Sequence, residues 1–198
     1  FGSETCTGNQ TTGVYASKDV GTLIGVSVTL ASNNFDGSSG VLTNNYALPG
    51  VATGAVGEIT RMTLTAELIP TISKVYDGNT VATLGPTNYL LGGFITNETC
   101  SVTQTTGAYT NENVGTGIVV SVVLASGDFA GAGGFDTNNY VLPGVATGAV
   151  GVITKATLTM YDLRPTISKV YDGNTVATLG PTNYSLGGFI TNETCSVT

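Results

Sequence analysis

The sequence predicts an all-β protein built of tandem two-sheet β-sandwich repeats, stacked head to tail as a rod. Three observations carry that expectation. The chain repeats itself with a period near 95 residues. Inside each period, short runs alternate apolar with small or polar residues, the period-two signature of a half-buried strand. Turn formers punctuate these runs, and no stretch sustains the 3.6-residue period of a helix.

The repeat comes first because it sets the frame for everything else. Pro70–Thr103 recurs as Pro165–Thr198 with 33 of 34 positions identical, Leu90 being replaced by Ser185. The block LPGVATGAVG occurs at Leu48–Gly57 and again at Leu142–Gly151. Leu142 lies 94 residues after Leu48, whereas Pro165 lies 95 after Pro70, so one residue is inserted after Thr159. The chain therefore divides into the C-terminal part of a repeat (1–69), a complete repeat (70–164) and the N-terminal part of the next (165–198). Phe1, Phe94 and Phe189 fall near the same phase. Two arrangements fit such a division: a window on a longer array, or a subunit whose C-terminal strands complete those of a neighbour.

The strands follow in order. Ile24-Gly25-Val26-Ser27-Val28-Thr29-Leu30 alternates strictly, and its counterpart puts Ile118, Val120, Val122 and Leu124 on an inner face. The outer face there carries Val119, Ser121 and Val123, where the earlier copy has Gly25, Ser27 and Thr29. Further strands are expected at Thr71–Tyr76, Tyr89–Leu91, Cys100–Gln104, Tyr140–Leu142 and Val150–Leu158. Asp77-Gly78-Asn79, Gly85-Pro86, Gly92-Gly93, Asn111–Asn113 and Gly131–Gly134 are expected to turn the chain between them. The connection Met160–Pro165 is short and has no flexible Gly/Ser run, which favours stiff stacking.

Composition narrows the function. Charged residues make up 10% of the chain, the net charge is −7, and there is no His and no Trp. Without His there is no Ser-His-Asp or Cys-His nucleophile pair and no imidazole metal site. No acid–base constellation converges elsewhere, so the chain reads as a non-enzyme. Six scattered cations do not make the basic stripe that nucleic acid requires. The longest apolar run, Ile118–Ala125, is far short of the roughly 20 residues of a spanning helix. Phe1–Gln10 carries neither the cationic nor the apolar part of a signal peptide.

Lys74-Val75-Tyr76-Asp77-Gly78-Asn79-Thr80, followed by Ala82 and Leu84, resembles the YDG-type repeat. So do Asn113–Gly117, Asn139–Leu142 and Gly151–Thr159, in the order that family shows. YDG-type and related mostly-β glycine-rich repeats occur in very large secreted bacterial surface proteins, among them filamentous-haemagglutinin-like and biofilm matrix adhesins. The resemblance implies an extracellular β repeat of a stalk or fibre at the bacterial surface or in its matrix. It brings no catalytic, cofactor or metal residues. Cys100 departs from it, standing where the family usually has Val.

The individual candidates are few. Asp77-Gly78 reads as a tight turn, with Tyr76 packed and its hydroxyl bonded at the sheet edge. The pairs Lys74/Asp77 and Lys169/Asp172 read as exposed charges of little worth. Cys6, Cys100 and Cys195 occupy one equivalent position, too far apart in a rod for a bond within the chain. Each is either a small buried hydrophobe or an exposed thiol that crosslinks neighbouring chains. Asp128, Asp136, Asn138 and Asn139, like Asn33, Asn34, Asp36 and Asn44, offer oxygen ligands for Ca²⁺ on loops, without the spacing of an EF-hand. Asn9, Asn97 and Asn192 open glycosylation triplets of the kind a Thr-rich chain produces by chance. Val119 and Val123 are the candidates for a lateral contact. The expected role is structural: length, stiffness and self-association into fibres or bundles. The alternative is a module that binds glycans or a host surface, where repetition would add avidity.

Overall fold

A computed structural model describes residues 5–38 and 43–198; Phe1 lies outside them. The first segment carries β1 (Thr5–Gly8), β2 (Val14–Tyr15), β3 (Gly21–Thr29), β4 (Phe35–Ser38), β5 (Val51–Ile59) and β6 (Met62–Thr63). Next come β7 (Thr65–Leu68), β8 (Ile72–Val75), β9 (Val81–Thr83), β10 (Tyr89–Gly92) and β11 (Thr99–Val102). They are followed by β12 (Thr106–Tyr109), β13 (Gly115–Val123), β14 (Phe129–Ala132), β15 (Tyr140–Val141) and β16 (Val145–Thr154). The last segment has β17 (Thr159–Leu163) and β18 (Tyr184–Gly187). Helical structure among the described residues is confined to single 3-10 turns, so the chain is all-β.

Two compact units are distinguished, Phe1–Thr63 with Asp136–Val141, and Leu64–Phe135 with Leu142–Thr198. The second contains a sheet of seven strands. Its path runs β10-β7-β16-β13-β12-β9, with β8 also paired to β16. The long antiparallel pair β13–β16 is its spine. Ile118, Val120 and Val122 of β13 are buried, with Leu124 just beyond, while Val119 and Val123 point outward. The alternation read in the sequence is thus the alternation of the sheet. Val102 and Phe129, directly opposite each other in the two-stranded ribbon β11–β14, join the sheet's inner residues in one apolar core.

On the other edge of β16, β7 and β8 lie parallel to it, one after the other. Glu67 pairs with Thr147, and then Ile72–Val75 with Gly151–Thr154. They form a single edge broken at Pro70, which has no N–H to give to a ladder. Where β7 hands over to β8, a Cβ on Gly148 would lie 2.4 Å from the Leu68 carbonyl oxygen. On Gly151 it would lie 2.7 Å from the Ile118 carbonyl oxygen and 2.8 Å from the Tyr109 ring. Close backbone approach, rather than turning, explains these glycines of the repeated LPGVATGAVG block. It also explains why the strand expected at Val150–Leu158 runs instead from Val145 to Thr154. These glycines let neighbouring chain pack on a continuous strand.

Gly131–Gly134, expected as a turn, is half strand: β14 continues to Ala132, and the chain reverses at Gly133 and Gly134, both with positive φ. The inserted residue after Thr159 also has a structural place. In β7–β10, Thr65 pairs with Gly92 and Leu68 with Tyr89 without interruption. In β17–β18, Thr159 pairs with Gly187 and Leu163 with Tyr184, and a bulge between Met160 and Leu163 takes up the extra residue.

In the first unit, β2-β3-β5 form a three-stranded sheet and β1 pairs with β4. β6 pairs in parallel with β15, Met62 facing Tyr140 and Thr63 facing Val141.

Candidate functional site at the repeat junction

The Tyr-Asp-Gly element forms a closed local unit. The Lys74 ammonium donates to Asp77 Oδ1 (2.7 Å), to the Asn79 carbonyl oxygen (2.6 Å) and to Asn79 Oδ1 (3.0 Å). The Asn79 N–H donates to Asp77 Oδ1 and the Val81 N–H to Asn79 Oδ1, while Gly78 takes φ +72°. The same network recurs at Lys169, Asp172 and Asn174, which lie outside any strand, so its geometry is encoded locally. Hydrogen bonding from Lys74, with help from the Asn79 N–H, holds the Asp77 carboxyl below the usual carboxylate range against a smaller desolvation push.

Lys74 is not the solvated charge the sequence suggested. Its side chain is 15% exposed, and its ammonium lies 5.3 Å from the centroid of the Tyr109 ring. The Tyr109 hydroxyl in turn donates to the Ile72 carbonyl oxygen at 2.9 Å. Tyr109 thus ties β12 to β8 from inside the core, a role its place in a polar Thr-Gly-Ala-Tyr run did not announce.

Tyr76 reaches across to the following repeat. Its hydroxyl donates to the Glu193 carboxylate, a partner 117 positions away and not the sheet edge expected. This bond, then lost solvent contact and then the nearby negative charges of Glu193, Glu112 and Asp77, push the Tyr76 hydroxyl above its ordinary pKa. Gly78 sits against Ile190, whose Cγ2 is 2.8 Å from where a Cβ would be. Between the complete repeat and the 188–195 turn lies a groove of about 500 Å³, lined among others by Tyr76, Val114, Lys155, Ala156, Phe189 and Cys195.

The first unit shows the corresponding positions engaged. Val20 and Arg61 are the counterparts of Val114 and Lys155, 94 residues earlier. The Val20 N–H donates to Asn139 Oδ1 at 2.8 Å, Asn139 Nδ2 donates to Asp19 Oδ1 at 3.0 Å, and Arg61 Nε donates to the Asn138 carbonyl oxygen at 3.0 Å. The Asn139 bond is the leading cause holding the Asp19 carboxyl below its usual range. The end of one repeat therefore receives the Asn138-Asn139 loop of the next.

The other candidates are placed as follows. Cys100 is half-buried against the core beside Tyr89, Leu91 and Phe94, and burial pushes its thiol up, whereas Cys6 and Cys195 are exposed. No disulfide joins the three. Val119 is 40% and Val123 76% exposed on the outer face of β13. The loop oxygens cap backbone. Asp128 Oδ2 accepts from the Ala125 N–H, Asp136 Oδ1 from the Asn138 N–H and Asn34 Oδ1 from the Ala31 N–H. Among the described residues no group of three or more His, Cys, Asp or Glu is placed to hold a metal ion. No helix among them is long and apolar enough to cross a membrane.

Comparison with known proteins adds one assignment. A YDG domain is found at residues 60–148, from the end of β5 into β16. No curated protein and no solved structure matches the chain.

Proposed function

We propose that the chain is a structural tandem repeat of an extracellular bacterial fibre, stalk or matrix adhesin, supplying length, stiffness and chain-to-chain contact. The observation that supports this reading best is the tie from Tyr76 to Glu193. It fastens a complete repeat to the next with the residues of the Tyr-Asp-Gly and Asn-Glu-Thr motifs, both of which recur every 95 residues. A motif used to join repeats has a reason to recur almost unchanged, and the short connection from β16 to β17, residues 155–158, suits a stiff joint; Met160–Leu163, expected as that connection, is part of strand β17. The repeats stack head to tail as sandwiches, and the rod presents an outer surface of Thr, Ser and Asn with few ions. Val119 and Val123 serve lateral contact, and Cys6, Cys100 and Cys195 supply one thiol per repeat for linking chains.

Electron microscopy of the native assembly, with and without reductant, tests the reading. Filaments or rods with a repeat spacing support it, and their separation by reductant supports the thiol link. Isolated compact particles under both conditions overturn it.

A further inference from the structure

The chain enters the seven-stranded sheet at Thr65, the start of β7, and leaves it after Thr154, the end of β16. β7 and β8 run parallel to β16 and lie directly on it, Glu67 against Thr147 and Ile72–Val75 against Gly151–Thr154. Entry and exit therefore lie at opposite ends of one strand pair, about 30 Å apart at roughly 3.3 Å per residue. A pull on the chain draws these strands past each other along their length. It loads their hydrogen bonds together rather than in turn. We propose that β7 and β8 on β16 form a shear clamp, the element by which the YDG domain bears tension along its chain. This deepens the fibre reading, on which the presence of a pulling load rests; the clamp itself belongs to the fold.

The sliding strands are locked along their whole length. At the exit, the Tyr76 N–H donates to the Thr154 carbonyl oxygen at 2.8 Å, and Thr154 Oγ1 donates to the Lys74 carbonyl oxygen at 3.3 Å. Midway, the Tyr109 hydroxyl donates to the Ile72 carbonyl oxygen at 2.9 Å, so β12, which lies off the line of force, holds β8 from inside the core. Towards the entry, the Leu68 carbonyl oxygen fills the space left by the missing side chain of Gly148. A slide carries it towards Ala146, the next inward residue of β16, which has a Cβ. Leu68 and Ile72, 2% and 5% exposed, leave the core in the same movement. β7 is gripped on its other edge as well, where Thr65–Leu68 pairs with Tyr89–Gly92 of β10.

The sheet offers no such resistance across its strands. β9 ends the path and is held through Val81–Thr83 alone, paired with Thr106–Ala108 of β12. A pull from Val81 towards the exit runs across the ladder, so it parts these bonds one after another.

The test pulls single molecules of the 198-residue chain carrying Cys6→Ser, Cys100→Ser and Cys195→Ser, at one pulling speed and in two directions. Handles on Thr65→Cys and Lys155→Cys load the clamp in shear, and handles on Val81→Cys and Lys155→Cys load the sheet crosswise. All three handle sites are exposed, so both preparations should melt alike and differ only in the direction of the force. The expected result in shear is one unfolding step at about fourfold the crosswise force, since four ladder pairs of β8 and β16 share the load. That step should lengthen the molecule by about 280 Å, the extended length of roughly 90 residues less the folded span. Pulling the unsubstituted chain by its two ends loads the same clamp, and its highest-force step should show the same lengthening. Equal forces in the two directions overturn the proposal. So does a shear pull in which β7 and β8 peel away first in a short step at low force. Filaments seen without a force difference would remove the clamp and leave the fibre reading standing, whereas a force difference without filaments would do the reverse.

Discussion

At the scale of the residue, Gly148 and Tyr76 are fixed by very different neighbours. Gly148 is held by main chain, since the Leu68 carbonyl oxygen occupies the space a side chain would need. Backbone cannot swing aside as a side-chain tip does, so Gly148→Ala should destabilise the domain by about 2 kcal/mol. Denaturant unfolding of the full chain measures this, and a loss within 0.5 kcal/mol of zero contradicts the close approach. Tyr76 is fixed by a carboxylate. The fold favours its protonated form, so the contribution of the Tyr76–Glu193 bond is complete below about pH 10 and is lost as pH rises through the raised folded value. The ultraviolet titration difference between the wild-type chain and Tyr76→Phe should therefore show a phenol with a midpoint above 10, and Glu193→Gln should bring it back down. Asp77 behaves oppositely. Its lowered pKa means that the turn's contribution is present above about pH 4 and fades only as the carboxylate protonates below that.

Among the elements, the recurring 3-10 turns give the clearest rule. Four of them close with a side-chain oxygen accepting from the N–H three residues back: Asn34 from Ala31, Asn88 from Gly85, Asp128 from Ala125 and Asn183 from Gly180, all at 2.7–2.9 Å. In each case the next residue is aromatic (Phe35, Tyr89, Phe129 and Tyr184) and opens a strand. Asn88→Ala should cost about 1 kcal/mol, the usual worth of such a cap, and should do so without shifting the β10 register; calorimetry and amide exchange read the two effects separately. The Asn/Asp-aromatic pair is the signal available in the sequence, where Asn34 and Asp128 read equally well as oxygen ligands on loops. Strands with strict alternation, such as β3 and β13, were legible because one face packs and the other does not. β7, β9 and β12 were not, because they are short, Thr- and Ala-rich, and stabilised by neighbours distant in sequence. The junction role of Glu193 is illegible in the sequence for the same reason. Its partner is 117 positions away, and no local pattern marks a carboxylate as a junction residue.

For the whole molecule, the repeat is the feature that sequence conveys best, because near-identity at a fixed offset needs no structural knowledge. What it conveys least is phase. The sequence block starting at Pro70 and the sheet starting at β7 differ because the parallel β7–β16 pairing is invisible in a string of Thr, Ala and Glu. The role of the repeat as a joined stack is tested most directly by small-angle scattering from the 198-residue chain beside a chain lengthened by one further copy of residues 70–164. The account predicts an unchanged cross-section and a maximum dimension longer by about 30 Å, the diameter of a compact body of that size. An added repeat that thickens the particle in all directions would contradict it.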